Sequence, residues 1–317
     1  MTKFLTRRII LGILTLFLVS VIVFVATQAL PGNAARAILG KDATPARVAA
    51  LERQLHLNES VFSQFTHWLG GILTGDLGTS AATQQPVSQL LSGRLANSAF
   101  LVLLAAIVAI PMSIALGSWM AMKRDKMVDY VGSTVSLVFA ALPEFVIGIA
   151  LVLLLATSVF QVFPAVSLIP PGDHAWNHLN AVILPAATLV LAVTPYISRI
   201  MRGSMVEVLE SDYVTMARLK GLPERTVMVR HALPNAIVPA IQVSALQLAW
   251  MAGGVVIVEF VFSFPGIGAA LVDAVGNRDV PVVQALALII AAVYVVLNLA
   301  ADVATILVTP RLRTAGR

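Results

Sequence analysis

Three acidic side chains lie inside long apolar runs, and they are the residues best placed for chemistry: Glu144, Glu259 and Asp302. A carboxylate in hydrocarbon is costly, so such acids face a bundle interior, a cavity or a partner. Glu144 follows Pro143, and this proline frees a backbone carbonyl that needs polar company within a membrane. For Glu144 a binding or translocation region and a structural kink stay equally open. For Glu259 and Asp302 the pattern favours a structural role, although Glu259 stays a second candidate for a translocation path.

Two histidines have a spacing that suits metal ligation, since His174 and His178 are four residues apart. Their setting, "PPGDHAWNH", is a turn-rich loop, which favours solvated imidazoles. The nearest match to a nucleotide-binding loop, "GNAARAILGKD" at 32–42, has the wrong spacing and Asp42 where Ser or Thr is required. HExxH, GxSxG and cysteine are all absent from the sequence. We therefore expect neither catalytic residues nor a metal site nor a cofactor bound by this chain.

The elements that hold these residues are membrane spans. The chain of 317 residues is 58% hydrophobic and 12% charged, whereas a soluble domain has about a quarter charged residues. Because about 20 apolar residues cross a bilayer, the sequence predicts an all-α polytopic membrane protein with six transmembrane helices, at residues 9–30, 98–122, 130–160, 180–201, 235–262 and 281–308.

Basic residues predict the orientation of these spans. If the N-terminus is cytoplasmic, 15 of the 21 Lys and Arg residues fall on the inside and six on the outside. Five of these six lie in the long loop after the first span, where the rule is weak. Both termini are therefore predicted to be cytoplasmic, and the net charge of +5 follows from topology rather than from nucleic-acid binding.

The outer segment 31–97 is too long for a simple connector. Within it, "TPARVAALERQLHL" predicts a helix with Thr44 as N-cap and Pro45 at the first position. "FSQFTHWLGGIL" is amphipathic and predicts a helix at the membrane surface. The predicted organisation is a first span within 1–30, an extracytoplasmic subdomain at 31–97 and a five-helix core at 98–317.

A polar segment interrupts the apolar core between the fourth and fifth spans, within about 202–234. Its central part reads "DYVTMARLKGLPERTVMVRHALPN" at 212–235. Gly221 is predicted to stop a first helix in left-handed conformation, Pro223 to begin a second, and Pro234 to end the second before the fifth span. Two short helices on the cytoplasmic face indicate a surface offered to another protein, with a merely solvated hairpin as the alternative.

This segment resembles the EAA loop in the permease subunits of bacterial ABC importers, which carries E-A-A, three residues, Gly, nine residues and I-x-L-P. Matching positions are Ala217, Gly221, Leu233 and Pro234, whereas Thr215, Met216 and His231 depart from the pattern. Further stretches resemble the dipeptide, oligopeptide and nickel subfamily in order and spacing: "ALPGNAA" at 29–35, "GDLGTS" at 75–80, "VEFVFSFPGIG" at 258–268, "NRDVPVVQ" at 277–284 and "TPRLR" at 309–313.

The resemblance implies a type I importer permease in the bacterial inner membrane. A second, homologous permease would complete the path, two cytoplasmic ATPases using ATP and Mg would dock on the loop, and an extracytoplasmic binding protein would deliver the substrate. The cargo implied first is short peptides, with nickel chelates, glutathione, opines or oligosaccharides as alternatives. The ATPase-coupling residues implied are Tyr213, Ala217, Arg218, Lys220, Gly221, Leu233 and Pro234.

The coupling residues have physical reasons for their expected roles. The small side chain of Ala217 is expected to let an ATPase approach closely, with Arg218 and Lys220 steering acidic partners at the rim. A rival interpretation is a secondary transporter that works alone with Glu144 and Glu259 as ion sites. That class predicts an inverted repeat, which the sequence does not display.

Overall fold

The computed structural model describes residues 2–28, 43–54, 58–170 and 172–308. Within these ranges the regular structure is helical, apart from one isolated bridge between Thr79 and Pro86. The motifs at 29–35 and 309–313 lie outside the described residues. The helices are α1 (Thr2–Gln28), α2 (Pro45–Gln54), α3 (Val61–Thr74), α4 (Val87–Met122), α5 (Met127–Ala141), α6 (Glu144–Val152, continued by a π turn at Leu153–Thr157), α7 (Leu179–Leu209), α8 (Asp212–Leu219), α9 (Glu224–Val261), α10 (Ile267–Gly276) and α11 (Val280–Val308).

Five of these helices are long and apolar enough to cross a membrane, namely α1, α4, α7, α9 and α11, within the part of the chain that the structure describes. The sixth predicted span, 130–160, is a broken pair: α5 and α6 meet at an angle of 105°. Counted as one broken span, this pair completes the six predicted spans, and the break lies at Pro143. The residue before a proline is biased towards extended conformation, and Leu142 is extended here, with φ −89° and ψ 131°.

One compact unit comprises Ala99–Phe264 and, among the described residues, 296–308. Its centre is α7, in which 78% of the residues of an apolar stretch long enough to cross a membrane are buried. Leu189, Ile197 and Met201 of α7 are fully buried in the apolar core. At Gly117 of α4 an added Cβ would lie 2.4 Å from the carbonyl oxygen of Ser198. A small residue is needed there because the two helix backbones touch.

The other compact unit comprises Thr2–Ser98 and Pro265–Val295. Its first helix packs along α11, since an added Cβ at Gly12 would lie 2.8 Å from Val295 Cγ1. Further along, Gln284 Nε2 donates to Thr27 Oγ1 at 2.7 Å, and this pair is buried. In a membrane such a hydrogen bond pairs two polar groups that hydrocarbon would leave unsatisfied. The unit thus joins α1 to α11 by a polar contact near the start of α11 and a steric contact near its middle.

A buried carboxylate in this second unit connects two of the sequence motifs. Asp279, 3% exposed, accepts hydrogen bonds from Ser80 Oγ at 2.5 Å and from the backbone N–H groups of Ala81 at 3.0 Å and Ala82 at 3.3 Å. Several donors satisfy the buried charge, as buried anions require. The motifs at 75–80 and 277–284 are therefore neighbours in space and form one structural clamp.

The predicted outer helices are confirmed in the described residues. Thr44 accepts from the N–H of Arg47 through its side chain at 3.4 Å and from that of Val48 through its carbonyl at 2.9 Å, so it caps α2 as expected. The amphipathic segment forms α3. Its ring of Phe65 lies 5.3 Å from the ring of Phe24 of α1, with Trp68 at 5.6 Å from Phe24. This aromatic contact gives α3 a protein neighbour, and its placement on the membrane surface stays a prediction.

Ser263 and Phe264, directly before the Pro-Gly-x-Gly motif at 265–268, cap the C-terminus of α9. Phe264 N donates to Glu259 O at 2.8 Å, and Ser263 N donates to Phe260 O at 3.2 Å. These two bonds are the Schellman pattern, in which a left-handed residue follows the helix. Ser263 takes that position with φ +49°, although glycine is the usual residue there. The end of α9 is thus capped by residues of the 258–268 stretch.

Candidate functional site

The polar segment between the fourth and fifth spans forms a helical hairpin, which we define as residues 212–232. Its first helix, α8, ends in a Schellman pair: Gly221 N donates to Arg218 O at 2.9 Å and Leu222 N donates to Ala217 O at 3.4 Å. Gly221 has φ +73°, a conformation that costs other residues about 1–2 kcal/mol. The predicted left-handed stop at Gly221 is confirmed.

The second half of the hairpin differs from the prediction. Instead of ending at Pro234, the helix that starts at Glu224 continues to Val261 as one body of 38 residues. A π turn at Val227–Ala232 precedes Leu233 and Pro234. Proline is accepted in the first turn of a helix, where its missing N–H is least costly. Pro234 follows the π turn, at the beginning of the α-helical part of α9, and its missing N–H is tolerated there. It therefore does not separate the hairpin from the fifth span.

Side chains support the carbonyl groups at this π turn. Asn235 Nδ2 donates to His231 O at 2.9 Å. The hydroxyl of Tyr213 on α8 lies 3.5 Å from the same oxygen, a long contact that brings the two limbs of the hairpin together. Tyr213, one of the predicted coupling residues, thus contacts the segment that leads into Leu233 and Pro234.

Ala217 is buried inside the hairpin, so the close approach that its small side chain permits in this structure is between the two limbs of the hairpin, and its role in ATPase coupling stays a prediction. Its side chain is 5% exposed and packs with Val214 and Val227 in a small core inside the hairpin, with Val208 and Leu209 partly buried against it. A small residue is favoured here because the two limbs approach each other closely. The size of Ala217 therefore shapes the hairpin itself.

Arg218 has a partner within the hairpin, and this changes its expected role as a steering charge. Its guanidinium donates to both carboxylate oxygens of Glu224, at 2.8 and 3.2 Å. This pairing raises the pKa of Arg218 above its ordinary value. A two-point pair of this kind fixes geometry as well as charge. Arg218 thus braces the turn at Gly221, whereas the side chain of Lys220 is exposed.

The hairpin exposes large apolar side chains among its charged ones. Four large apolar side chains between Tyr213 and Leu222 are exposed, with Leu219 at 75% and Met216 at 59% the most open; the others are Tyr213 and Leu222. We call these four residues the hairpin face. Solvent-exposed apolar side chains gathered on one short helix are typical of a docking surface. The signal was available at Met216, one of the positions that departs from the EAA pattern.

The three acids of the apolar runs have different surroundings. Glu144 is half-buried at the start of α6, with its Oε1 3.8 Å from the place of a Cβ on Gly254 of α9. Glu259 is fully buried, so its carboxylate does not line an open passage in this conformation. Asp302 is half-buried on α11. Of the two path candidates, only Glu144 lies at an accessible surface.

An ion pair that sequence reasoning missed joins α5 to α7. Arg202 Nε donates to Asp129 Oδ1 at 2.5 Å and its Nη2 donates to Oδ2 at 2.6 Å. Asp129 also accepts from Asp125 N at 3.2 Å and from Ser133 Oγ at 3.5 Å. A signal was present, since Asp129 precedes the predicted span 130–160 by one residue and Arg202 follows 180–201 by one. Opposite charges at the ends of spans that share one side of the membrane are candidates for pairing.

The two spaced histidines have separate environments. His178 Nε2 lies 2.6 Å from Asp173 Oδ2, while the ring of His174 stacks on Trp176 with centroids 4.1 Å apart. Hydrogen bonds from Asn177 and His178 lower the pKa of Asp173 to about 2. Within the described ranges, His, Asp, Glu and Cys side chains form no group of three or more suited to a metal ion.

Comparison with known proteins places this architecture in a family. Residues 113–314 match the family described as binding-protein-dependent transport system inner membrane component, and residues 1–101 match its N-terminal region. The chain is 37% identical over 315 residues to the probable peptide ABC transporter permease protein y4tP of Sinorhizobium fredii, covering 99% of this chain and 100% of that protein. It is 34% identical over 313 residues to the glutathione transport system permease protein GsiC of Salmonella typhimurium, covering 99% of each.

These matches extend over nearly the whole chain, including the hairpin and the spans on either side of it. A component of such a system works with a substrate-binding protein and an ATPase, and the chain itself is a transport component rather than an enzyme. The chain belongs to the family of binding-protein-dependent transport system inner membrane components, and it is a permease subunit of an ABC importer.

Proposed function

We propose that this permease imports short peptides, with glutathione within the same chemical range. The support is the naming of two similar proteins for peptide and glutathione transport. A second, homologous permease completes the path, and two ATPases supply ATP hydrolysis with Mg. Nickel chelates, opines and oligosaccharides remain alternative cargoes.

The observation that carries the coupling role is the hairpin face. Met216 and Leu219 are exposed on a segment that is otherwise rich in charged side chains. Removing such apolar area from water stabilises a complex by about 25 cal/mol per Å². We assign the hairpin face as the surface that an ATPase covers, with Lys220 at its rim and Gly221 setting the turn.

The continuity of α9 suggests how docking moves the membrane part. From Glu224 to Val261 the helix has 38 residues, a length of about 57 Å at 1.5 Å per residue. We propose that α9 moves as one body despite its π turn and Pro239, and so carries a displacement of the hairpin to Gly254, beside Glu144. Closure of the ATPases on ATP therefore shifts the permease between outward and inward states, and Glu144 lines the path that opens.

The docking proposal is tested by charging the hairpin face. Met216→Glu together with Leu219→Glu should abolish co-purification of the ATPase and ATP-driven uptake, because two carboxylates would be desolvated at the contact. The matched control is Leu168→Glu, which changes an equally open leucine, 81% exposed, in the loop before α7. Wild-type ATPase binding by the double variant would refute the assignment.

The orientation with both termini in the cytoplasm is tested with single cysteines, since the natural chain has none. Ser60→Cys and Lys220→Cys should react with a membrane-impermeant reagent from opposite sides of oriented vesicles. Reaction of both from one side would contradict the topology.

The cargo is tested by uptake in vesicles that contain the whole transport system with its binding protein. We expect ATP-dependent entry of labelled tripeptides, and competition by unlabelled glutathione. Entry of nickel chelates or oligosaccharides with no tripeptide entry would overturn the peptide assignment and leave the importer role intact.

A further inference from the structure

A pocket of about 620 Å³, lined by both polar and apolar side chains, lies between α5, α7 and α9. Its polar lining comes from all three helices: Ser133 from α5, Tyr196, Arg199 and Arg202 from α7, and Gln247 from α9. The volume is within the range of small-molecule sites, which are about 300–1,000 Å³. Polar side chains on membrane helices face an interior or a water-filled space rather than lipid. The pocket therefore marks a hydrated face of this subunit.

The pocket carries an excess of positive charge. Arg202 is neutralised by Asp129, with both carboxylate oxygens engaged at 2.5 and 2.6 Å. Arg199 is exposed, and its guanidinium makes no hydrogen bond or ion pair with the residues that the structure describes. Tyr196 adds a hydroxyl, which donates to Ala140 O at 3.2 Å and keeps its lone pairs. This set of groups suits a carboxylate, since guanidinium binds it at two points.

A negative group lies along the same face. Gln247 and Gly254 are seven residues apart on α9, which places them on one side of the helix, two turns from each other. Glu144 Oε1 is 3.8 Å from the place of a Cβ on Gly254. At 1.5 Å per residue the two positions are about 10 Å apart along the helix. A cationic and an anionic group thus stand at the ends of one stretch of α9.

We propose that this stretch binds peptide cargo in a fixed direction, with the C-terminal carboxylate at Arg199 and the N-terminal ammonium at Glu144. A peptide spans about 3.3–3.6 Å per residue, so about 10 Å corresponds to two or three residues. The inference rests on the proposed function, and it adds which ends of the cargo are recognised. Tyr196 and Gln247 supply neutral hydrogen bonds to the backbone of the peptide.

The pocket is tested first by its charge. Leu137 lines it and is 53% exposed, so Leu137→Cys places a single thiol there without altering a polar group. In the intact complex, an anionic thiosulfonate reagent should label this thiol faster than a cationic one. Arg199→Gln should lower the ratio of the two rates about two- to fivefold, as expected for a partly solvated charge. The matched control Lys123→Gln, at the exposed end of α4, should leave the ratio unchanged.

The recognition of peptide ends is tested by protection of the same thiol. Tri-alanine should slow labelling more than tri-alanine amide, and Arg199→Gln should remove that difference. Tri-alanine should also protect better than its N-acetyl form, and Glu144→Gln should remove this second difference. Equal protection by all three peptides, or failure of both reagents to reach the thiol, would overturn the proposal.

A lipid phosphate is the other anion that Arg199 meets in a membrane, and the vesicle composition separates the two sources. If phosphatidylglycerol in place of phosphatidylcholine abolishes both the anionic preference and the protection by tri-alanine, lipid occupies Arg199 and the cargo assignment is refuted. If the anionic preference and the protection by tri-alanine both persist in phosphatidylglycerol, the cargo assignment is supported. Labelling needs no ATP, so a wild-type complex that is protected but imports no tripeptide would count against the proposed function alone.

Discussion

The ion pair between Asp129 and Arg202 is expected to be the most sensitive polar contact between α5 and α7. The two side chains differ in exposure, 4% for Asp129 and 31% for Arg202. Arg202→Gln leaves a buried carboxylate, with only Asp125 N and Ser133 Oγ as donors. Asp129→Asn leaves a guanidinium that water reaches. The two single substitutions should therefore have unequal costs, although they break the same pair.

The magnitudes follow from this asymmetry. An uncompensated buried charge costs about 3–5 kcal/mol, which is our expectation for Arg202→Gln. Loss of a charged hydrogen-bond partner beside solvent costs about 1–3 kcal/mol, which is our expectation for Asp129→Asn. The double variant buries no charge, so it should be more stable than Arg202→Gln alone. The coupling energy should be about 1–3 kcal/mol, as for residues in one network.

The assay is titration of the purified permease with denaturing detergent, followed by the loss of helical signal, for the wild type and the three variants. Transport by the same proteins, at a temperature where all remain folded, shows whether the pair also matters for coupling through α7. If Arg202→Gln is no more destabilising than Asp129→Asn, or if the double variant shows the plain sum of both losses, the reasoning about burial is refuted.

Three further predictions concern a close contact between two helices, a buried carboxylate and a carboxylate in a loop. Gly117→Ala should lower the stability by about 1–3 kcal/mol through overpacking, since its Cβ would lie 2.4 Å from a carbonyl oxygen of α7. Gly93→Ala on the same helix should cause no such loss, because its Cβ meets nothing within 4 Å. Equal stability of the two variants in detergent titration would contradict this prediction. Asp279→Asn should speed protease cleavage of the turn at Ser80 and Ala81 that Asp279 holds, because the buried donors lose an anionic acceptor. Cleavage as slow as in the control Asp273→Asn would count against the clamp. Because the pKa of Asp173 in the folded protein is depressed to about 2 from 3.8, the stability that this carboxylate contributes is present above pH 3.8 and is lost as the pH falls toward 2. The thermal unfolding temperatures of the wild type and Asp173→Asn should therefore converge near pH 2. A difference between them that stays constant with pH would disprove the role of the Asp173 charge.

Local physics made part of this structure readable from the sequence. A span is recognised because about 20 consecutive apolar residues match the bilayer, and this requires no knowledge of neighbours. The stops at Gly221 and the cap at Thr44 were predictable because they depend on the φ and side chain of single residues. The bend at Pro143 follows from proline chemistry as well, although its size of 105° does not.

Tertiary structure decided what each side chain faces. Ala217 was correctly placed on α8, yet the packing of Val214 and Val227 against it turned it inward and left Met216 and Leu219 outside. A helix has several faces, and the sequence of one helix does not determine which face its partner limb covers.

Two hydrogen-bonded pairs of residues that are distant in the chain show the same limit of prediction from sequence. Asp279 and Ser80 are 199 residues apart, and Asp129 and Arg202 are 73 apart. A buried charge requires a partner, so the sequence indicates that each acid has one. Only the packing of the helices decides which donor arrives, because many polar groups in the chain would satisfy the same need.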